Sequence, residues 1–237
     1  MNKKFISIIV VFIIASVSYI YNNVDDFGTI FSNSDKELSS MNYNELSELK
    51  YDGKHQEVIL NNNKTEFTSA ELKNNQKSNQ QFSNLDKLNR VGEANAVLGK
   101  ELMPGKGEKR ESLYVDPTGF RNKKTENGWL YNRSHLIGYQ LTAENNNIKN
   151  LITGTRSLNT PHMLNYENEI ASYIKRTGNQ VRYRVTPVFF ENDLVARGVQ
   201  LQAKSIQDAK LEFNVYIFNV EKGMDINYSN GSSHVSK

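Results

Sequence analysis

Three side chains between Trp129 and Lys175 could carry out chemistry together. His135 ends the strand-like run WLYNRSH, and Asn159 and Glu167 belong to the helical pattern that follows. A neutral imidazole can accept a proton near pH 7, because its ordinary pKa lies there. Asn and Glu supply hard oxygen ligands, and Mg²⁺ needs only one or two of these since it keeps most of its water. An imidazole base beside such a cation is suited to phosphodiester hydrolysis, because the cation stabilises the transition state and the leaving alkoxide.

The spacing of Asn159 and Glu167 predicts that both face one side of a helix. An apolar stripe indicates a helix that begins near Asn159, formed by Tyr166, Ile170, Tyr173 and Ile174. Over eight residues, at about 100° each, the two side chains end roughly 80° apart around the helix axis. Each residue has an ordinary alternative: a structural His, a helix-capping Asn, a solvated Glu. Their joint order and spacing favour the chemical interpretation.

The segment around His135 resembles a nuclease signature. Asn132-Arg133-Ser134-His135 resembles the D-R-G-H motif of the DNA/RNA non-specific endonucleases, the ββα-metal (His-Me finger) nucleases. The stretches NRSHLIGYQL, NIKNLITGTRSLN, YRVTPVF and LVARGVQLQAKS are similar to one branch of that family. This branch contains secreted DNases and membrane-bound DNA-entry nucleases of Gram-positive bacteria. The resemblance extends over roughly Tyr51 to Gly223.

The resemblance implies a role for each of the three side chains. His135 would be the general base and Asn159 the direct metal ligand, and Glu167 would bind the metal or orient its water ligands. The implied cofactor is Mg²⁺, with Mn²⁺ as the alternative. The implied substrate is DNA, with RNA left open, cut to products with 5′-phosphate ends. The alternative function is a catalytically weak or inactive nucleic-acid-binding or uptake receptor on a nuclease scaffold.

Three further residues receive roles from the resemblance, and two depart from it. Arg133 would contact phosphate or brace the site, Asn150 would hydrogen-bond near the scissile group, and Arg156 would be a further phosphate contact. Asn132 replaces the family's usual Asp, so any tuning of the general base by that carboxylate is in doubt. Ser134 replaces Gly and adds a side chain where Gly allows any backbone angle. Neither change removes the base or the metal ligand.

The charge distribution favours a polyanionic partner for the C-terminal part of the chain. Residues 86–222 contain 20 basic and 15 acidic residues, whereas residues 22–85 contain 6 and 10. Two basic groups could contact a nucleic-acid backbone or could be solvated surface: Arg121, Lys123 and Lys124 in a loop, and Arg182 and Arg184 on one strand face. The absence of cysteine excludes disulfides and thiolate-metal sites.

The N-terminal segment predicts export. Lys3 and Lys4 precede the uncharged run Phe5–Tyr21, so residues 1–21 are a signal peptide or an N-terminal membrane anchor formed by residues 5–21. Both place the protein outside the cell, secreted or anchored to the outer face of the membrane. A flexible polar linker (22–44), the nuclease domain (45–223) and a polar tail (224–237) are predicted to follow. A stalked adhesion domain is a weaker alternative. The sequence identifies no protein inhibitor.

The pattern of the remaining elements predicts an α+β domain. Alternating runs at 181–190 and 195–204, with the largely apolar run 213–220, indicate an antiparallel sheet core. Pro187 predicts an edge or a bulge in the first of these strands. The resemblance implies a ββα-metal motif with flanking helices on this sheet.

Overall fold

The structure, a computed structural model, describes residues 41–74 and 77–236. The predicted signal peptide or anchor, and most of the predicted linker, lie outside the described residues. Within the described residues, no helix is both long enough and apolar enough to cross a membrane.

The described residues combine short helices with many strands. The strands are β1 (Glu57–Ile59), β2 (Asn79–Phe82), β3 (Ala94–Leu98), β4 (Lys124–Thr125), β5 (Gly128–Trp129), β6 (Tyr131–His135), β7 (Leu151–Thr155), β8 (Val181–Val188), β9 (Gly198–Ser205), β10 (Glu212–Phe218), β11 (Met224–Ile226) and β12 (Ser233–Val235). The α-helices are α1 (Tyr43–Glu48), α2 (Tyr139–Thr142) and α3 (Leu164–Thr177). Three 3₁₀ turns span Asn61–Asn63, Lys100–Leu102 and Ile148–Asn150, and a π-helical turn, Leu158–Met163, leads directly into α3.

A six-stranded antiparallel sheet supports the fold, in the order β1-β10-β9-β8-β3-β2. Because side chains alternate along a strand, the sheet has one apolar and one polar face. On β8, Val181, Tyr183 and Val185 are fully buried in the hydrophobic core. Arg182 and Arg184, which alternate with them, lie on the other face. The prediction of an α+β domain around an antiparallel sheet is confirmed.

The polar face of the sheet holds an intramolecular ion network. Arg182 and Arg184 both bond the carboxylate of Glu71, and both guanidinium groups lie 5.0 Å from the ring centroid of Phe67. Arg182 also donates to Asn95 Oδ1 at 2.5 Å. These two arginines are therefore engaged within the protein, and Arg182 is buried, so they fit neither the nucleic-acid contact nor the solvated surface that the sequence left open.

Pro187 lies in the part of β8 where a missing backbone N–H removes no hydrogen bond to a second neighbouring strand. β8 pairs with β9 along its whole length, but β3 pairs with it only as far as Val185. Beyond that residue β8 has a single neighbour, so the predicted edge position holds locally although β8 is internal in the sheet.

The candidate site is carried by a smaller ββα unit. β6 and β7 pair antiparallel, with His135 opposite Leu151, and the chain then passes through the π-helical turn into α3. The predicted apolar stripe of α3 faces the core, with Ile170, Tyr173 and Ile174 buried. Packing against the large sheet thus fixes α3 behind the two strands that deliver His135.

Both ends of the described region pack beyond the predicted domain boundaries. The Tyr43 hydroxyl in α1 accepts a hydrogen bond from Phe189 N at 2.9 Å, so the folded region begins before residue 45. At the other end β11 and β12 pair, and the carbonyl of Tyr228 between them accepts from Leu194 N at 3.0 Å. The polar residues from 224 onward therefore form a packed hairpin. Composition does not reveal it, because backbone groups make these bonds.

Candidate active site

Four of the six predicted site residues line one cleft of about 910 Å³. These are Arg133, His135, Asn159 and Glu167. The walls come from β5, β6, α2, the π-helical turn, the start of α3 and the loop that begins at Arg110. The ββα unit therefore brings together the base and both oxygen ligands that the sequence predicted. Asn150 and Arg156 do not line the cleft.

Two hydrogen bonds define the protonation state of His135. Its Nε2 lies 2.8 Å from the backbone carbonyl of Asn145, which can only accept, so Nε2 carries the proton. Its Nδ1 lies 3.1 Å from Nη2 of Arg110, which can only donate, so Nδ1 carries the lone pair. Both contacts select the same tautomer. The basic nitrogen is the one whose partner is a cleft side chain.

Burial and a neighbouring cation keep His135 neutral. The side chain is 6% exposed. Burial lowers the pKa of His135 to about 4 despite the opposing hydrogen bond to Asn145, and the positive charge of Arg110 lowers it further. A neutral imidazole is the form that can accept a proton, so at neutral pH His135 has the protonation state that the predicted role of general base requires.

Glu167 lies in the first turn of α3 and is 8% exposed. Burial raises the pKa of Glu167 to about 7, against hydrogen bonds from the Gln140 side chain and the Gly138 backbone and the charge of Arg110, all of which lower it. The carboxylate is therefore held close to its point of ionisation. A cation in the cleft would favour the ionised form.

Gly138 leaves room for the Glu167 carboxylate. A Cβ at residue 138 would overlap the carboxylate oxygens and lie 2.5 Å from Cδ. The backbone at Gly138 is extended, with φ −63° and ψ 148°, so space and not backbone freedom requires glycine here. The segment after β6 is thus shaped around the acidic side chain.

Asn159 reaches the cleft by a route that the sequence analysis did not predict. It lies in the π-helical turn and not at the start of a regular helix, because Thr160 has strand-like angles of φ −146° and ψ 116°. The calculation of roughly 80° between Asn159 and Glu167 around one axis is therefore wrong in its premise. Both side chains nevertheless line the same cleft. Their side-chain oxygens are the donors that could hold a metal ion.

Arg133 is braced within the protein. Its guanidinium bonds Asp116 Oδ1 at 2.5 and 2.7 Å and lies 4.7 Å from the ring centroid of Phe120. Of the two roles implied for Arg133, these contacts favour bracing, although Arg133 also lines the cleft.

Asn150 lies outside the cleft lining. Its side chain is fully buried, and it bonds both backbone groups of Ile137, accepting from N and donating to O at 2.9 Å each. These contacts favour a role in positioning the segment next to Gly138 over the implied contact near the scissile group. Arg156 is exposed and outside the cleft lining.

Of the two departures from the family signature, the fold makes room for Ser134, although its Oγ is buried without a hydrogen-bond partner among the described residues, and Asn132 lies in the cleft wall. Ser134 is fully buried and abuts Gly154 on β7, where any Cβ would overlap the Ser134 side chain. The missing side chain at Gly154 therefore leaves room for the side chain of Ser134, which the family's usual Gly does not have. Asn132 lines the cleft two residues before Ser134, on the same strand as His135.

Several contributors to the site carried no usable sequence signal. Arg110 lies in an irregular loop far from the signature, Asn145 acts through its backbone carbonyl, and Gly138 acts through its lack of a side chain. Gln140 follows Gly138 closely, but a polar residue after a motif is common. Only the folded arrangement identifies them.

Comparison with known proteins identifies the family. A sequence model of the DNA/RNA non-specific endonuclease family matches residues 71–207, more than half of the chain. The structure is similar to NucA from Streptococcus agalactiae without metal, with 27% identity and a TM-score of 0.69 over 79% of this chain and 89% of that one. It is also similar to the same protein with a magnesium ion bound, with 25% identity and a TM-score of 0.68 over 79% and 90% of the two chains.

Two other nuclease structures share the fold. Sda1 nuclease with a bound zinc ion has 27% identity and a TM-score of 0.60, over 67% of this chain and 80% of that one. A protein described as an extracellular endonuclease has 22% identity and a TM-score of 0.57, over 78% of this chain and all of that one, which shows the fold alone. The chain is therefore a nuclease and belongs to the DNA/RNA non-specific endonuclease family.

Proposed function

We propose that this protein is an exported, Mg²⁺-dependent endonuclease that hydrolyses DNA with little regard to base sequence. The observation that supports this best is the tautomer of His135, which turns a neutral, basic Nδ1 toward the cleft shared with Asn159 and Glu167. Contacts to the sugar-phosphate backbone carry no sequence information, so cutting is nearly indifferent to the bases.

The reaction begins with proton transfer to His135. Nδ1 takes a proton from a water molecule as the water oxygen attacks phosphorus, and the bond from phosphorus to the 3′ oxygen breaks. The 3′ oxygen then takes a proton from solvent. The products are a 5′-phosphate end and a 3′-hydroxyl end. Asn145 O holds the Nε2 proton throughout, so the ring keeps its orientation.

Arg110 links substrate entry to base activation. In the free protein its guanidinium donates a hydrogen bond to the lone pair of His135 Nδ1. That lone pair becomes available to water when Arg110 turns to another acceptor. A phosphate oxygen in the cleft is such an acceptor, because arginine bonds phosphate in a charge-assisted geometry.

The donor set fits Mg²⁺. Across residues 41–74 and 77–236, no three His, Cys, Asp or Glu side chains are grouped to hold a metal ion. A zinc site of the usual kind has three or four such ligands, whereas Mg²⁺ binds through one or two oxygens. Asn159 and Glu167 would provide them. When bound, the ion supplies positive charge that stabilises the transition state and the leaving oxygen.

Export is supported by the uncharged run Phe5–Tyr21 behind Lys3 and Lys4. The receptor alternative is not favoured, because the base and both oxygen ligands are present in one cleft.

Incubation of the purified protein with supercoiled plasmid tests the proposal. We expect nicked and linear products in Mg²⁺, none in EDTA, and recovery when Mg²⁺ is restored. Product ends should be ligatable, as 5′-phosphate with 3′-hydroxyl ends are. An intact plasmid in every metal tested would overturn the assignment, and equal cutting in EDTA would overturn the metal dependence.

A further inference from the structure

An exposed aromatic ring lies in the wall of the cleft and has no part in the mechanism above. Trp129 is the only tryptophan in the sequence, and it lines the cleft while remaining 51% exposed. Exposure of this residue type is unusual, because a tryptophan ring gains much free energy from burial. A ring kept open to solvent inside a binding cleft suggests a ligand with a flat apolar surface.

The fold anchors the backbone on both sides of this ring. Leu130, at the bend between β5 and β6, is fully buried, and its N–H and C=O bond Lys123 O and Arg156 N at 2.9 and 2.8 Å. Trp129 itself pairs with Lys124 across β4 and β5. The exposed ring is therefore carried by a backbone that is hydrogen-bonded on both sides.

A cation accompanies the ring. Trp129 in β5 is the cross-strand partner of Lys124 in β4, and the Lys124 Nζ lies 5.5 Å from the ring centroid. Aromatic rings that stack on bases, beside cations that pair with phosphates, are the common features of single-strand binding sites. The pair thus presents both features at one edge of the cleft.

Trp129 lies close enough to the proposed general base, His135, for one substrate strand to contact both. Trp129 is six residues before His135, so an extended chain places their Cα atoms at most about 20 Å apart. Because both residues line the same cleft, a strand with its scissile phosphate at His135 needs only a few nucleotides to reach Trp129.

We infer that Trp129 and Lys124 form a stacking platform for one unpaired base of the substrate, with Lys124 at its phosphate. The inference rests on the proposed function and deepens it, since it names nucleic acid with unpaired bases as the preferred substrate. In a duplex each base is already stacked and paired, so the ring gains no base to cover. Stacking of one base should raise cleavage of single strands relative to duplex by about tenfold.

Intrinsic fluorescence provides a direct test, since the chain has one tryptophan. The full chain carrying His135→Ala would be titrated in Mg²⁺ with a short oligothymidylate, and separately with an abasic strand of the same length. We expect quenching by the oligothymidylate, and clearly less by the abasic strand at equal occupancy measured by anisotropy. Equal fluorescence changes with both bound strands would overturn the inference.

Cleavage by variants provides the second arm. In Trp129→Leu the ratio of single-strand to duplex cleavage should fall about tenfold, and Trp129→Phe should recover part of it. The matched control is Tyr114→Leu, which alters an aromatic residue that is 74% exposed and outside the cleft lining; its ratio should stay at the wild-type value. An unchanged ratio in Trp129→Leu, with plasmid still cut by the wild type, refutes the platform and leaves the nuclease assignment standing. Failure of the wild type to cut plasmid would instead refute the proposed function.

Discussion

At the scale of single residues, the chemistry of the cleft depends on neighbours that are distant along the chain. Arg110 and Asn145 select the tautomer of His135, and Gly138 leaves room for the Glu167 carboxylate. The lone pair of His135, the raised pKa of Glu167 and the contact with Arg110 depend on burial and on groups distant in sequence. A signature of four letters contains no information about these neighbours.

Arg110→Met should raise the pKa of His135 from about 4 toward 6.5, because a positive charge next to the imidazole disappears. The rise should be partial, since burial is the larger cause. A less neutral base at low pH moves the acid limb of the activity profile to higher pH. Titration of the His135 ring by NMR measures the shift. Lys109→Met, at the adjacent exposed cation, is the control, and an unchanged His135 pKa in Arg110→Met would contradict the electrostatic account.

At the scale of elements, hydrophobic periodicity predicted the strands and the helix whose apolar faces pack into the core. The strands near 181, 195 and 213 and the stripe on α3 were all found, with boundaries shifted by a few residues. The π-helical turn before α3 was not predicted, because its path depends on the backbone angles of Thr160 and not on any pattern. The hairpin formed by β11 and β12 was missed because backbone hydrogen bonds hold it.

Gly138→Ala should lower turnover by about 10²-fold, because the added Cβ displaces the Glu167 carboxylate and a shift near 1 Å has effects of that size. Steady-state cleavage and a thermal unfolding curve would be measured together. Gly105→Ala is a suitable control, since a Cβ there meets only Glu108 Oε2 at an ordinary 3.5 Å. Full activity in Gly138→Ala would show that Glu167 tolerates displacement.

Asn150→Ala should lower the free energy of unfolding by about 2–4 kcal/mol, because two buried backbone groups of Ile137 lose their partners. Chemical denaturation measures this change. A residue that contacts substrate would behave differently, with a raised KM and unchanged stability. That second outcome would restore the role implied by the family resemblance.

At the scale of the whole molecule, stability and the proposed function agree at His135, where both favour the neutral side chain, and conflict at Glu167, where stability favours the protonated form and metal binding the ionised one. Burial lowers the pKa of His135 to about 4 and raises that of Glu167 to about 7. The neutral His135 stabilises the fold above pH 6.5, and this contribution is lost as pH falls toward 4. The protonated Glu167 stabilises the fold below pH 4.5, and this contribution is lost as pH rises through 7. The charge asymmetry of the chain is visible in the sequence. The effects of His135 and Glu167 on stability are not, because they depend on burial in the fold.

Glu167→Gln should therefore stabilise the metal-free protein at pH 8 by up to about 3 kcal/mol while removing activity. The gain arises because the buried side chain no longer has to ionise. Thermal or urea unfolding in EDTA at pH 5 and pH 8 measures it, and the gain should be small at pH 5. Glu169→Gln, an exposed position on the same helix, serves as the control. Equal stability of Glu167→Gln and wild type at pH 8 would argue against a buried, ionised carboxylate.

The most direct test of the central claim is plasmid cleavage measured across Mg²⁺ concentrations for wild type, His135→Ala and Asn159→Ala, with His234→Ala as a histidine control. We predict that His135→Ala lowers turnover by about 10²-fold or more at every Mg²⁺ concentration, whereas Asn159→Ala needs more Mg²⁺ or fails to cut. His234→Ala should match the wild type. Full activity in His135→Ala, or an unchanged Mg²⁺ dependence in Asn159→Ala, would contradict the assignment of base and metal ligand to this cleft.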